Sequence, residues 1–299
     1  MQSAAFGRLA QRKKIMPQFA ETQSVTVGDV KVTFLADGGG IVNPTALYPT
    51  STEEGWQNHA DLLNEDGKFL TSIGAFLVEI GDRKIAVDTA IGPVTIDFPG
   101  FGPFSGGKYM ESLASAGAAR EEVTDVVFSH LHLDHVGWTT IEVDGRRELM
   151  YPNARHLVTQ AEWDFWYGGD NPAGPHPEFV QKPLADIIQF IQDGDEIAPG
   201  MRVVSTPGHT PGHISLLIES GGQRLYLTAD ILHGAMQLRE PDWSVAFDND
   251  PEQARASREA MYAEFVKPNT LVGVNHFSNR VFGAISPDGD LYSWTPLRV

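Results

Sequence analysis

Apolar residues along this chain fall into short β-branched and aromatic runs, each closed by a turn-forming residue, which is the pattern of buried strands. Runs at 75–80 and 84–87 flank a Gly81-Asp82 turn, and runs at 216–218 and 225–227 flank Gly221-Gly222, so each pair predicts a hairpin. Val123, Val126, Val127 and Phe128 predict a further strand, as do 201–205 and 270–274. Helical spacing is present at 108–116, 159–167, 178–192 and 251–266. Two of these helices carry start signals. Thr159-Gln160-Ala161-Glu162 has the form of a capping box, and Asp250-Pro251-Glu252 supplies an N-cap, a first-turn proline and an early acid. Strands and helices interleave without a low-complexity linker, which predicts a single domain over 25–299. Residues 1–24 are polar and lack a period. They read as an N-terminal arm, disordered or in contact with a partner copy.

The chemistry sits where the predicted strands end. After the 123–128 run comes His130-Leu131-His132-Leu133-Asp134-His135. Residues two apart in an extended segment point the same way, so His130 and His132 can grip one ion while Asp134 and His135 turn toward a second. The 201–205 run leads into Thr206-Pro-Gly-His-Thr-Pro-Gly-His213, an irregular loop fixed by two Pro-Gly pairs, and His209 is its best ligand for the first ion. The 225–227 run delivers Asp230, placed to bridge both ions, and the 270–274 run delivers His276, which completes the second set. Asp88, after the 84–87 run, either orients an imidazole from behind or caps its strand. Imidazole nitrogen with carboxylate oxygen suits two divalent ions, zinc first, with manganese, cobalt or iron as alternatives.

Composition narrows the partners. The 22 Lys and Arg against 39 Asp and Glu give a net charge of −17, which disfavours a nucleic-acid substrate. No stretch of about 18 apolar residues is present to span a bilayer, and no secretory leader is evident, so a soluble, cytoplasmic protein with no membrane partner is expected. The absence of cysteine removes disulfides and thiolate ligands and leaves the metal chemistry to His and Asp.

Asp88, the 130–135 motif, His209, Asp230 and His276, in that order, resemble the metallo-β-lactamase-fold hydrolases. Within them, the 206–213 loop, Ala229-Asp-Ile-Leu-His233, Phe247-Asp-Asn-Asp-Pro251 and the Asp288-Gly289 turn before Trp294 look most like methyl parathion hydrolase and the quorum-quenching N-acyl homoserine lactonases. The resemblance implies an α+β fold, a four-layer αβ/βα sandwich with the metals at one edge, and a homodimer. It also implies a binuclear metal-dependent hydrolase in which a bridging hydroxide attacks the electrophile. Asp134, Asp230 and His233 are the candidate catalytic residues: Asp134 as a proton carrier and His233 as a donor to the developing oxyanion. Such lactonases commonly place tyrosine at the position of His233, whereas methyl parathion hydrolase is similar to this chain there. His213 either supports a ligand from behind or packs within its loop. His59, His156 and His176 have no partner in the sequence and read as packing or surface residues.

Phe101, Phe104, Trp138, Trp163, Phe165, Trp166, Phe247 and Phe277 are candidates for apolar pocket walls or for core. The leading expectation is a small-molecule lactone or ester substrate, with a phosphotriester second. A β-lactamase ranks lower because those enzymes generally lack the bridging aspartate. A flavodiiron-type oxidoreductase is set aside because its group usually has an acid where His132 stands and carries a flavin domain. A metal-binding scaffold without turnover is the non-enzymatic alternative.

Overall fold

The computed structural model describes residues 16–298. In chain order its strands are β1 (Gln23–Val27), β2 (Val30–Val42), β3 (Phe69–Ile80), β4 (Arg83–Val87), β5 (Thr95–Phe98), β6 (Gly102–Ser105), β7 (Asp125–Val127), β8 (Thr140–Val143) and β9 (Arg146–Leu149). They continue as β10 (Arg155–Thr159), β11 (Ile188–Ile191), β12 (Glu196–Ala198), β13 (Met201–Ser205), β14 (Ile214–Ser220), β15 (Gln223–Leu227), β16 (Thr270–Gly273), β17 (Phe282–Asp288) and β18 (Leu291–Pro296). One sheet runs β11, β10, β7, β4, β3, β2, β6, β5, with β1 also paired to β2; the other runs β12 to β18 in sequence order. β8 and β9 form a separate hairpin.

Side-chain alternation makes the layers. On β3, Phe76 and Val78 point into a core shared with Val203, Leu216, Leu225 and Leu227 of the other sheet. Ala75 and Leu77 of the same strand point the opposite way, into a second core that includes Leu113, Trp163 and Leu184 from the helices over that face. Both faces are buried, which is why such strands read as unbroken apolar runs. On the far side, Met261, Tyr262 and Phe265 of the helix Pro251–Phe265 cover the second sheet, where Phe265 meets Tyr226 at a ring distance of 5.4 Å. The order is helices, sheet, sheet, helix, which is the expected αβ/βα sandwich. No helix among the described residues is long and apolar enough to cross a membrane.

Three predicted helices occur, as Tyr109–Ser115, Gln160–Trp166 and Pro251–Phe265. The helix predicted over 178–192 does not. A wide π-type turn at Pro177–Gln181 passes into one helical turn at Lys182–Leu184, and the chain then extends as β11. Pro183 cannot donate an intrahelical hydrogen bond, and the Ile188-Gln189-Phe190-Ile191 run instead pairs in parallel with the free edge of β10. Of the stretch read as an arm, residues 1–15 lie outside the described residues. Past them the chain lies on the body: the Ala20 N–H donates to Ser72 Oγ at 2.8 Å, and Thr22 Oγ1 donates to Ser112 at 2.9 Å.

Strand direction brings the site together. β4, β7 and β10 are mutually parallel, and so are β15 and β16; β13 is antiparallel to β14, which is antiparallel to β15. Each candidate ligand follows the C-terminal end of one of these strands, so the loops collect at a single edge of the sandwich.

The wall of that edge is braced by Asp37, which occupies a register shift of β2 between Ala36 and Gly38. Buried there, its Oδ2 accepts the N–H groups of Ile91 (3.2 Å) and Gly92 (3.0 Å) and the indole N–H of Trp138 (3.0 Å), while Oδ1 accepts those of Gly107 (2.8 Å) and Tyr109 (2.9 Å). One carboxylate thus fixes the turns after β4 and after β6. Asp37→Ala leaves all five donors without an acceptor, and the expected loss is about 3–5 kcal/mol in urea unfolding of the purified protein. A loss below about 1 kcal/mol would show that water replaces the carboxylate at little cost.

Candidate metal centre

The 130–135 motif leaves β7 extended as far as His132 (φ −62°, ψ 152°) and then turns into the short helix Leu133–Val136, with the His135 N–H donating to the His132 carbonyl at 2.9 Å. This break aims His130 and His132 to one side and Asp134 and His135 to the other. His209 joins the first pair: its Nε2 is 2.8 Å from His132 Nδ1 and 3.2 Å from Asp230 Oδ2, and His130 Nε2 is 3.7 Å from the same oxygen. His276 joins the second. Asp230 Oδ1 lies 3.2 Å from His135 Nε2 and 3.1 Å from His276 Nε2, and Asp134 Oδ2 is 3.9 Å and 3.8 Å from those nitrogens. Each group could hold a metal ion, the first as His130, His132, His209 and Asp230, the second as Asp134, His135 and His276, with Asp230 turning one oxygen to each.

The chemistry of these atoms fits a pair of cations. His130 Nε2, His135 Nε2 and Asp230 Oδ1 are buried and have no hydrogen-bond partner, an arrangement that costs free energy unless a cation satisfies them. Burial, aided by neighbouring imidazoles, holds His130 and His132 well below the usual histidine range, so they are neutral and ready to ligate. Burial also opposes the charge on Asp230, but the imidazoles of His135, His276, His233 and His130 outweigh it and keep the carboxyl well below its ordinary value. In the metal-free chain burial likewise lowers His209, yet Asp230 and Asp248 overcome it and raise the ring to about 9.

A further ring of contacts orients the imidazoles. Asp88 Oδ2 lies 2.8 Å from His135 Nδ1, and the same carboxylate accepts the N–H and hydroxyl of Ser129, whose Oγ is 3.0 Å from His130 Nδ1. Asp88 therefore stands behind His135. The Ser72 carbonyl is 2.8 Å from His276 Nδ1, and Asp248 Oδ1 is 2.8 Å from His209 Nδ1. His213 supports the first group through the backbone of Asp230. Its Nδ1 faces the Thr206 carbonyl at 2.9 Å, and its Nε2 accepts the Asp230 N–H at 3.0 Å. The residue before Asp230, Ala229, holds a left-handed φ of 45°, a strained conformation that re-aims the chain at that point. His233 Nε2 is 3.0 Å from Asp230 Oδ2, its ring stacks on His276 at 5.0 Å, and its Nδ1 is buried without a partner.

Sequence reasoning missed Asp248. The signal was present in the Asp-Asn-Asp run before the last helix, because a ligating imidazole needs an acceptor for its other nitrogen. It also missed Asp37 and Phe98.

The cleft over the cluster is lined by Leu47, Thr71, Ile91, Phe98, Phe104, Leu133, Ala173 and Phe247, together with His132, Asp134, His209, Asp230, His233 and His276. Of the predicted aromatic walls, only Phe104 and Phe247 line it. Phe101 packs behind Phe247 at 5.2 Å, Trp138 bonds Asp37, Trp163 stacks on Tyr167, and Trp166 lies edge-on to His132 at 5.3 Å. Phe165 is largely exposed, and Phe277 packs on Trp294 in a different groove. His59 pairs with Glu240, His156 is buried near Phe128, and His176 stacks on Phe179, so none of these three joins the site.

Comparison with known proteins gives the family and the fold. The family model described as the metallo-beta-lactamase superfamily matches residues 72–263. The chain is 30% identical over 173 residues to metallo-beta-lactamase domain-containing protein 1 of Xenopus laevis, which is 57% of this chain and 62% of that protein. It is 29% identical over 163 residues to an N-acyl homoserine lactonase of a Bacillus species, covering 50% of this chain and 58% of the relative. The match thus spans about three fifths of the length of these relatives. Among solved structures, AidC, a dizinc quorum-quenching lactonase, superposes with a TM-score of 0.80 at 22% identity over 94% of this chain and 99% of that one, a likeness of fold.

Two measurements test the centre. Since Asp248 orients His209, Asp248→Ala should weaken metal binding about 10- to 100-fold in a chelator competition, and unchanged affinity would remove Asp248 from the site. His209, raised to about 9 without metal, is protonated at pH 7 and must lose its proton to ligate. Metal uptake at pH 7 should therefore release about one proton or more per chain, with apparent affinity rising with pH until about pH 9. Calorimetry in two buffers of different ionisation enthalpy reads the release directly, and identical heats in both would contradict it.

Proposed function

Because the chain belongs to the metallo-beta-lactamase superfamily, we propose that it is a metal-dependent hydrolase that opens lactones or cleaves related neutral esters. The observation that carries this reading is Asp230, buried and unpartnered at Oδ1, facing one imidazole group with each oxygen at the floor of an apolar cleft. His130, His132 and His209 would hold one divalent ion, and Asp134, His135 and His276 the other, with Asp230 shared between them. When bound, two such ions, zinc in the leading assignment, supply Lewis acidity and bring the pKa of water at the site toward neutrality.

The chain's own residues divide the remaining work. Ile91, Phe98, Phe104, Leu133 and Phe247 exclude water from the acyl side and favour an apolar group there. Among the described residues no Lys or Arg lines the cleft, so none of them offers a side-chain ammonium or guanidinium to a phosphate dianion or to the carboxylate of a β-lactam. Asp134, whose side chain is 23% exposed, is the most accessible of the carboxylates at the site and can pass a proton to the leaving oxygen. His233 lies on the cleft wall with its Nε2 at the Asp230 carboxylate, beside the place where negative charge would develop. A neutral phosphotriester is the second reading, supported by the same apolar walls and by histidine at position 233.

Metal analysis combined with turnover of a long-chain N-acyl homoserine lactone, a simple γ-lactone, an aryl ester, methyl parathion and a cephalosporin tests the assignment. The expected result is two metals per chain, the highest kcat/KM on a lactone or aryl ester, and the lowest on the cephalosporin. Highest kcat/KM on methyl parathion would put the phosphotriester reading first, and absence of metal under metal-replete conditions would overturn both. In the same assay, His233→Ala should keep its metal and lose roughly 100-fold in turnover. Loss of metal in that variant would make His233 a support of the cluster.

A further inference from the structure

The capping signature at 159–162 is fulfilled only from one side. Thr159 Oγ1 accepts the Glu162 N–H at 3.3 Å and so starts the helix Gln160–Trp166, but the glutamate carboxylate does not turn back to the Thr159 N–H. Its Oε1 accepts the Leu131 N–H at 2.9 Å and the Trp166 indole N–H at 2.7 Å, and its Oε2 accepts the Gly212 N–H at 3.0 Å. Leu131 lies between His130 and His132, and Gly212 lies in the loop of His209. One carboxylate therefore holds the backbones of both loops that present the first group of imidazoles.

The setting is built closely. Glu162 is 0% exposed, and no ion pair to it is present among the described residues. Thr159 Oγ1 donates to the Gly212 carbonyl at 2.8 Å, so the same glycine is held at both its N–H and its C=O. A Cβ on Gly212 would lie 2.2 Å from the Glu162 nitrogen and 2.3 Å from Thr159 Oγ1, which leaves room for glycine alone. A buried carboxylate without a cationic partner is expensive to desolvate and is compensated here by hydrogen-bond donors, three of them N–H groups. Two of those donors are the amides of the ligand loops.

We propose that Glu162 is a positioning residue that sets the spacing of His130, His132 and His209, and through it the affinity for the first metal ion; this rests on the two-ion reading above. Among the described residues, neither Asp134, His135 and His276 nor the amides next to them donate to Glu162, so the effect is selective for one of the two sites. Glu162→Gln keeps the shape but turns an N–H toward the Gly212 amide, and Glu162→Asp keeps the charge but is one methylene too short to reach both loops.

Cobalt titration of the metal-free wild type, Glu162→Gln and Glu162→Asp, with amide hydrogen exchange at Leu131 and Gly212, separates the outcomes. The wild type should take up two ions, and the step that His209→Ala abolishes marks the first site. Both Glu162 variants should weaken that step about 10- to 100-fold and leave the other within about threefold. In the metal-free variants, exchange at Gly212 should accelerate about tenfold or more. If Glu162→Gln does not fold, Glu162→Asp decides. Equal weakening of both steps, or no weakening, would overturn the selective role, and unchanged exchange would overturn the tether itself. A wild type that binds no cobalt would overturn the two-ion reading, and the proposal with it.

Discussion

One buried carboxylate must face two groups of imidazoles at once, and the architecture of this chain answers that demand. Asp230 cannot reach either group alone: its neighbours come from the ends of β7, β13 and β16, on two different sheets. Only a sandwich whose strands run to a common edge places these ends around a single side chain. The charge arithmetic is equally constrained. Imidazoles this close repel one another if protonated, and burial removes the water that would screen them, so the cluster tolerates itself only with a negative group at its middle or cations between its nitrogens.

Geometry around that carboxylate is held mainly through the backbone. Asp37 and Glu162 are both buried acids whose acceptors are spent on N–H groups of loops, and His213 accepts the Asp230 amide. Side-chain partners then set the ring orientations, Asp88 for His135 and Asp248 for His209. The arrangement puts flexible loops under the control of rigid strand ends. It also explains why a chain with 39 acidic residues buries several of them: each of these acids replaces the secondary structure that the loops lack.

How much of this was legible in the sequence depended on whether a residue's reason was local. The 130–135 motif, the 206–213 loop, Asp230 and His276 declared themselves because each follows a strand-like run, and the runs at β3, β4, β13, β14, β15 and β16 were visible from their apolar content. β2 was not, because Gly38, Gly39 and Gly40 erase its pattern; they are there to let Ser105, Phe19 and Phe104 approach. The helix predicted over 178–192 failed because Pro183 and an open strand edge decide that segment, and the edge belongs to another part of the chain. Asp37 carried no local signal, since its partners are remote in sequence, and the Asp-Asn-Asp run did not show which imidazole Asp248 meets. Glu162 was seen, but for the capping role its neighbours suggest and not for the tertiary contacts it makes.

The scattering of the ligands across strand ends also bears on the order of synthesis. His130, His132 and His135 leave the ribosome well before β16 and His276 exist, and the loop of His209 and the Asp230 carboxylate arrive in between. A nascent chain therefore exposes three imidazoles and a carboxylate of the 130–135 motif long before it owns the strands that gather the others around Asp230. The second sheet, running in sequence order from β12 to β18, is the last part of the site to be made. The selectivity of the cluster for any ion it binds would then depend on when the final strands dock as well as on which side chains it offers, a matter of timing that the folded site by itself does not reveal.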